Sequence, residues 1–158
     1  MPAITLDQAN RIIAAIIQRG LEIECRPLSV LVVEPGCKVK AFQKEDGSSM
    51  IRFEMAFGKA YAALALGRSS KLVRIRADER PIFMRYLLSA TGDQIFPEGG
   101  GLQIRDDAGE VIGAVGVTGD TEDKDEELAL FGIRAAGLKT DDDFKDTDRR
   151  SGVRLTNI

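Results

Sequence analysis

The chain has 158 residues, 44% of them hydrophobic, and a formal net charge of −3 from 22 basic and 25 acidic side chains. That length suits one domain with a real core, and so weak a charge balance gives no electrostatic footprint for nucleic acid. There is no histidine, which excludes imidazole acid–base catalysis, Ser-His triads, imidazole zinc sites and proximal-histidine haem ligation.

In chain order, Thr5 is an N-cap and Gln8, three residues on, completes a capping box. Leu6, Ala9, Ile12, Ile13, Ile16 and Ile17 then form a helical stripe that ends near Gly20. The run from Leu28 to Val33 reads as a buried strand, Pro35-Gly36 as a turn, and Lys38 to Phe42 as an alternating strand, together a hairpin. A long apolar helix is expected from about Ser49 to Leu66, stopped by Gly67, with Phe53, Phe57, Ala60 and Leu64 on one face. A shorter helix is expected from Asp78 to Ser89, with Pro81 in its first turn. Leu102 to Arg105 and Val111 to Thr118 make a second hairpin around Asp106–Gly109, and Thr121 opens a last helix to about Ala136. Two hairpins and flanking helices imply an α+β domain with an antiparallel sheet over residues 1–138. Residues 139–158 read as a charged C-terminal extension.

No apolar run approaches the roughly 20 residues of a membrane span, and the start MPAITLDQAN lacks the basic-then-apolar pattern of a secretory signal. The expectation is a cytoplasmic protein with Cys25 and Cys37 reduced. The acids Asp120, Glu122, Asp123, Asp125, Glu126 and Glu127 lack the order of a calcium loop and suit a helix first turn, so no metal is expected.

Three features carry candidate chemistry. Arg68, Lys71, Arg74, Arg76, Arg80 and Arg85 outnumber their local acids, as a solvated face, a subunit contact or an anion clamp would. Lys59, two turns after Arg52 on an apolar helix, needs a partner, a route to water or a ligand. Phe96-Pro-Glu-Gly-Gly-Gly-Leu-Gln-Ile104 is neither a Walker loop nor a dinucleotide fingerprint, yet Gly99, Gly100 and Gly101 have the backbone freedom to admit a ligand.

The segments TLDQANRIIAAII, LSVLVVEPGCKVKAF, EMAFGKAYAALALGRSS, FPEGGGLQI and GEVIGAVGVTGDTEDKDEELALFGI, in this order and spacing, resemble the GlcG/HbpS family, also described as the haem-degrading or PduO C-terminal domain family. Lys59-Ala-Tyr-Ala-Ala63 matches that family's Lys-Ala-x-Thr-Ala stretch, and Glu98 is inserted into its Pro-Gly-Gly-Gly loop. The resemblance implies a profilin-like fold, with a five-stranded antiparallel sheet flanked by helices, homo-oligomers, and a shallow pocket near the glycine loop and second helix. Some members bind haem or a corrinoid, typically through histidine; others accompany catabolic genes or resemble lyases and hydrolases of aromatic breakdown products. This chain departs from the haem-binding members in having no histidine.

The leading expectation is therefore a small enzyme without a cofactor, a lyase, hydrolase or isomerase acting on a carboxylated catabolic intermediate. Glu98 would be its general acid or base and Lys59 the charge partner of an anionic substrate, with Gly99, Gly100, Gly101, Arg80 and Tyr61 binding that substrate. On this view Gly100→Val damages ligand binding more than folding. The alternative is a non-catalytic binding module for haem, a corrinoid or another small molecule.

Overall fold

Thr5 caps the first helix with both halves of the capping box formed, its hydroxyl accepting from the Gln8 N–H at 3.1 Å and its own N–H donating to Gln8 Oε1 at 3.0 Å. The computed structural model describes residues 2–144. Helix α1 (Leu6–Glu22) leads into β1 (Ser29–Val33) and β2 (Val39–Lys44), then come α2 (Arg52–Leu66), α3 (Ser70–Glu79) and α4 (Pro81–Ala90). The second hairpin is β3 (Gly101–Arg105) with β4 (Val111–Thr118), followed by α5 (Glu122–Ala135) and a 3₁₀ turn, Asp141–Phe144.

The fold is α+β, with helices flanking an antiparallel sheet, but the sheet has four strands rather than five, in the order β2-β1-β4-β3. β1 pairs with β4, so the hairpins join through their inner strands. β1 is buried on both faces. Val30 and Val32 pack with Ile12, Ile13 and Ile16 of α1 and Leu128 and Ile133 of α5. Leu31 and Val33 point the other way, onto Ala56, Ala60 and Ala63 of α2. Small residues let α2 lie close: a Cβ on Gly116 of β4 would collide with the Ala56 carbonyl.

The helix expected over Asp78–Ser89 is present as α4, with Pro81 at its first position, and a further helix, α3, precedes it. α3 begins at Ser70, capped by the Ser69 hydroxyl, and α4 begins at Pro81. α3 shows little periodicity because Val73 is its one fully buried apolar residue. Of the basic stretch, Lys71 pairs across to Asp123 and Glu126 of α5, and Arg74 and Arg76 pair within α3 with Asp78 and Glu79.

Beyond residue 138 the chain follows the outer edge of β3. Arg105 and Lys139 exchange backbone hydrogen bonds of 2.7 and 2.9 Å, and Thr140 Oγ1 donates to the Gln103 carbonyl at 2.6 Å. Asp141 accepts from Arg105 Nε at 2.8 Å and from Gln103 Nε2 at 3.1 Å. The remainder of the charged extension lies outside the described residues. Cys25 and Cys37 are free thiols, and among the described residues no helix is long and apolar enough to cross a membrane.

Candidate functional site

Arg52 and Lys59 do share a face of α2, and that face lies over β4. Arg52 Nη1 donates to Thr118 Oγ1 at 2.7 Å. Lys59 is fully buried; its Nζ donates to the Val117 carbonyl at 2.9 Å and to Asp125 Oδ2 at 3.1 Å. Asp125 Oδ1 in turn accepts from the Asp120 N–H at 3.1 Å. Burial pushes the Asp125 carboxyl above its ordinary range, and the Lys59 charge and hydrogen bond pull it back only in part. Lys59 thus ties α2, β4 and α5 together, where the sequence leaves snorkelling to the surface open.

Glu98 joins this cluster. Its Oε1 lies 3.8 Å from Lys59 Nζ, and its side chain keeps partial contact with water. The Phe96 ring completes the cluster at 5.8 Å from the ammonium. The structure therefore brings Glu98 and Lys59 together and adds Asp125, which in the sequence looks like one more acid favouring the start of α5.

The glycine loop is a packed joint. The Gly99 N–H donates to Glu122 Oε2 at 2.9 Å and the Gly101 N–H to Ser70 Oγ at 2.7 Å, so neither amide faces an open cleft. Gly100 sits at φ +128°, with Asp125 Cβ and Lys59 Cδ each 3.1 Å from where a Cβ would stand. The expectation that Gly100→Val spares folding is reversed by this crowding. Arg80 is exposed at the α3–α4 junction with its guanidinium 4.3 Å above the Phe83 ring. Tyr61 packs beside Phe57, its ring centroid 6.0 Å away.

A cavity of about 450 Å³ opens elsewhere, between α3, α5, β3 and the 3₁₀ turn. Leu72, Ile75 and Leu102 form apolar wall, and Lys71, Glu126 and Asp141 are among its polar lining. Burial raises both the Glu126 and Asp141 carboxyls. Acids outnumber the one lysine there, which is the wrong sign for an anionic ligand.

A row of rings runs along α2, with Phe42 and Phe57 packed partly against Leu31, Ala56 and Ala60. Phe42 of β2 meets Phe53 edge-on at 5.0 Å, Phe53 stacks with Phe57 at 6.3 Å, and Tyr61 continues the row. Spacing of four residues puts Phe53, Phe57 and Tyr61 on one helix face. Phe53 is 37% exposed, and Met50 and Ile51 beside it are more so.

A family model described as "Haem degrading protein HbpS-like" matches residues 4–134. The chain belongs to the HbpS-like family. A 15.0 kDa protein from the dhaT-dhaS intergenic region of Citrobacter freundii is 34% identical over 127 residues, covering 80% of this chain and 87% of that protein. The Klebsiella pneumoniae protein ORFY is similar in structure, with a TM-score of 0.78, 26% identity, and 87% of this chain and 92% of that one covered. PduOC, solved as a haem complex, has a TM-score of 0.78 at 20% identity, covering 87% of this chain and 98% of that one.

The family description raises haem, and this HbpS-like chain cannot ligate its iron through histidine. There is no imidazole. Burial pushes the Cys37 thiol up to about 11, so the free thiol is protonated at neutral pH. Among the described residues no group of three or more His, Cys, Asp or Glu side chains is placed to hold a metal ion.

Proposed function

We propose that the chain is a non-catalytic small-molecule binding domain whose ligand is a planar, ring-rich compound of tetrapyrrole type, held by stacking and apolar contact without iron ligation. The observation that carries this reading is the partly exposed row Phe42, Phe53, Phe57 and Tyr61. Membership of a family with a haem-related description supports it. Rings offer large contact area at little entropic cost. Titration of the protein with hemin and with metal-free protoporphyrin IX, followed by absorption and porphyrin fluorescence, tests it. Both are expected to bind within about threefold of each other, and Phe57→Ala to weaken both by about tenfold, as loss of one stacked ring allows. Hemin binding at least tenfold tighter with a sharp Soret band, or no binding of either ring, overturns the reading.

A second reading, acid–base catalysis by Glu98, rests on its 3.8 Å approach to Lys59 while still reached by water. Glu98→Gln separates the two. A binding domain keeps its porphyrin affinity within about twofold, because the carboxylate is not part of the ring row. A catalyst loses about 10²–10⁴ in turnover of whatever substrate the wild type accepts in an ester, lactone and hydroxy-acid screen. No turnover by the wild type in that screen removes the catalytic reading.

A further inference from the structure

The cavity of about 450 Å³ between α3, α5, β3 and the 3₁₀ turn shares no residue with the ring row or with the Lys59 cluster. Its volume is that of a small-molecule site. Its walls differ in chemistry. Leu72 and Ile75, three residues apart on α3, join Leu102 of β3 in an apolar wall. Ile75 lines the cavity and is still 44% exposed, so water meets apolar surface there. Asp123, Glu126 and Glu127 stand on α5 at the spacing of one helix face. Asp141 and Asp142 of the 3₁₀ turn add two more acids.

These charges do not balance. Lys71 is the one cation in the lining, and its ammonium serves two carboxylates, Asp123 at 2.8 Å and Glu126 at 3.5 Å. Outside the lining, Arg105 pairs with Asp141 at 2.8 Å, and Arg68 lies within electrostatic reach of the same carboxyl. Among the described residues, five acids therefore face three cations. Burial holds the Glu126 and Asp141 carboxyls above their ordinary range in spite of these partners, so a further positive charge would stabilise their ionised forms. Acids on a helix face alone would be served by water. Here an apolar wall encloses them, and water serves that wall badly.

We propose that the cavity binds an organic amine, its ammonium taken up by Glu126 and Asp123 in place of Lys71 and its alkyl body laid against Leu72, Ile75 and Leu102. An ammonium carries three donors, and carboxylates accept them in strong, charge-assisted hydrogen bonds. Lys71 already shows that these acids receive an ammonium. Its own side chain is 41% exposed and its Asp123 partner 77%, so the pair is weakly held and the flexible stem can swing aside. The amine site does not depend on the ring row.

Calorimetric titration of the full chain at constant ionic strength compares hexylamine, hexanol and hexanoate, three probes with one apolar body. One hexylamine per chain is expected, bound at least about tenfold more tightly than either of the others, the scale of a hydrogen bond to a charged group. Glu126→Gln is expected to weaken hexylamine binding by about tenfold on the same scale. Lys71→Met removes the competing ammonium and is expected to strengthen it, whereas a site for anions would lose affinity. Phe57→Ala is expected to leave hexylamine affinity unchanged, which separates this cavity from the ring row. Absence of hexylamine binding at millimolar concentration overturns the proposal. So does a smaller preference over hexanol or hexanoate, or a Lys71→Met protein that binds hexylamine no better than the wild type.

Discussion

Replacing Lys59 by methionine is expected to destabilise the domain by about 3–5 kcal/mol, because it strands a buried carboxylate. Asp125 would keep the Asp120 amide but lose the ammonium that donates to it at 3.1 Å. The pH dependence follows from the direction of the Asp125 shift. Its carboxyl is already held above the ordinary range by burial, so the native state binds that proton more tightly than the unfolded chain does. Stability from this group is therefore greatest at low pH and is lost as pH rises through the raised value. Without Lys59 the carboxyl rises further, and the deficit of the variant shrinks as pH falls from 7 towards 5. Urea unfolding at both pH values measures this. A loss below about 1 kcal/mol, or one equal at the two pH values, contradicts the assignment. The double change Lys59→Met/Asp125→Leu removes both charges and is expected to recover most of the loss.

Gly100→Val is expected to lower stability by more than about 3 kcal/mol. Backbone strain at a positive φ costs about 1–3 kcal/mol, and overpacking a tight site adds about 1–3 kcal/mol. The new Cβ would strike the Val117 carbonyl that also accepts from Lys59, and would press on Asp125 and Lys59 at 3.1 Å. Because the clash falls on the anchor of α2, thermal unfolding should begin well below that of the wild type and any ligand effect should follow from that. A Gly100→Val protein with an unchanged melting temperature would show that the loop is free to move away, and the packed-joint description would fall.

Elements whose signals are local were legible in the sequence. Thr5 with Gln8, Thr121 before an acidic turn, and Gly67 in a left-handed conformation each mark a helix end through residues within one turn. α3 was hidden because Arg74, Arg76, Asp78 and Glu79 pair largely with one another on a mostly exposed surface, leaving Val73 alone to signal burial. The fifth strand came from the family likeness, and no residue pattern in this chain supplies it. For the site, the sequence states a need without naming what meets it: a lysine between Gly58 and Ala60 on a buried helix needs a partner, a route to water or a ligand. That partner, Asp125, is 66 residues away, and in sequence it is indistinguishable from the acids that merely favour a helix start. At the glycine loop the sequence anticipates the approach of a ligand, whereas the groups packed against Gly100 are Val117 and Lys59.

The sheet ends in two edges, and the chain protects them by unlike means. Outside β3, Lys139 pairs with Arg105 and Asp141 locks the strap in place. Outside β2, nothing pairs among the described residues; Lys40 is taken up by Glu34 at 3.2 Å, and protection falls to exposed Lys38, just before the strand, and Lys44 at its end, which a second copy would meet as like charges. Backbone cover is indifferent to electrolyte, whereas repulsion between exposed lysines fades once the Debye length shrinks to about 3 Å near 1 M salt. Strand-to-strand self-association is therefore a hazard of concentrated salt and of the β2 side, while the β3 side stays closed until the Lys139–Asp141 strap peels away.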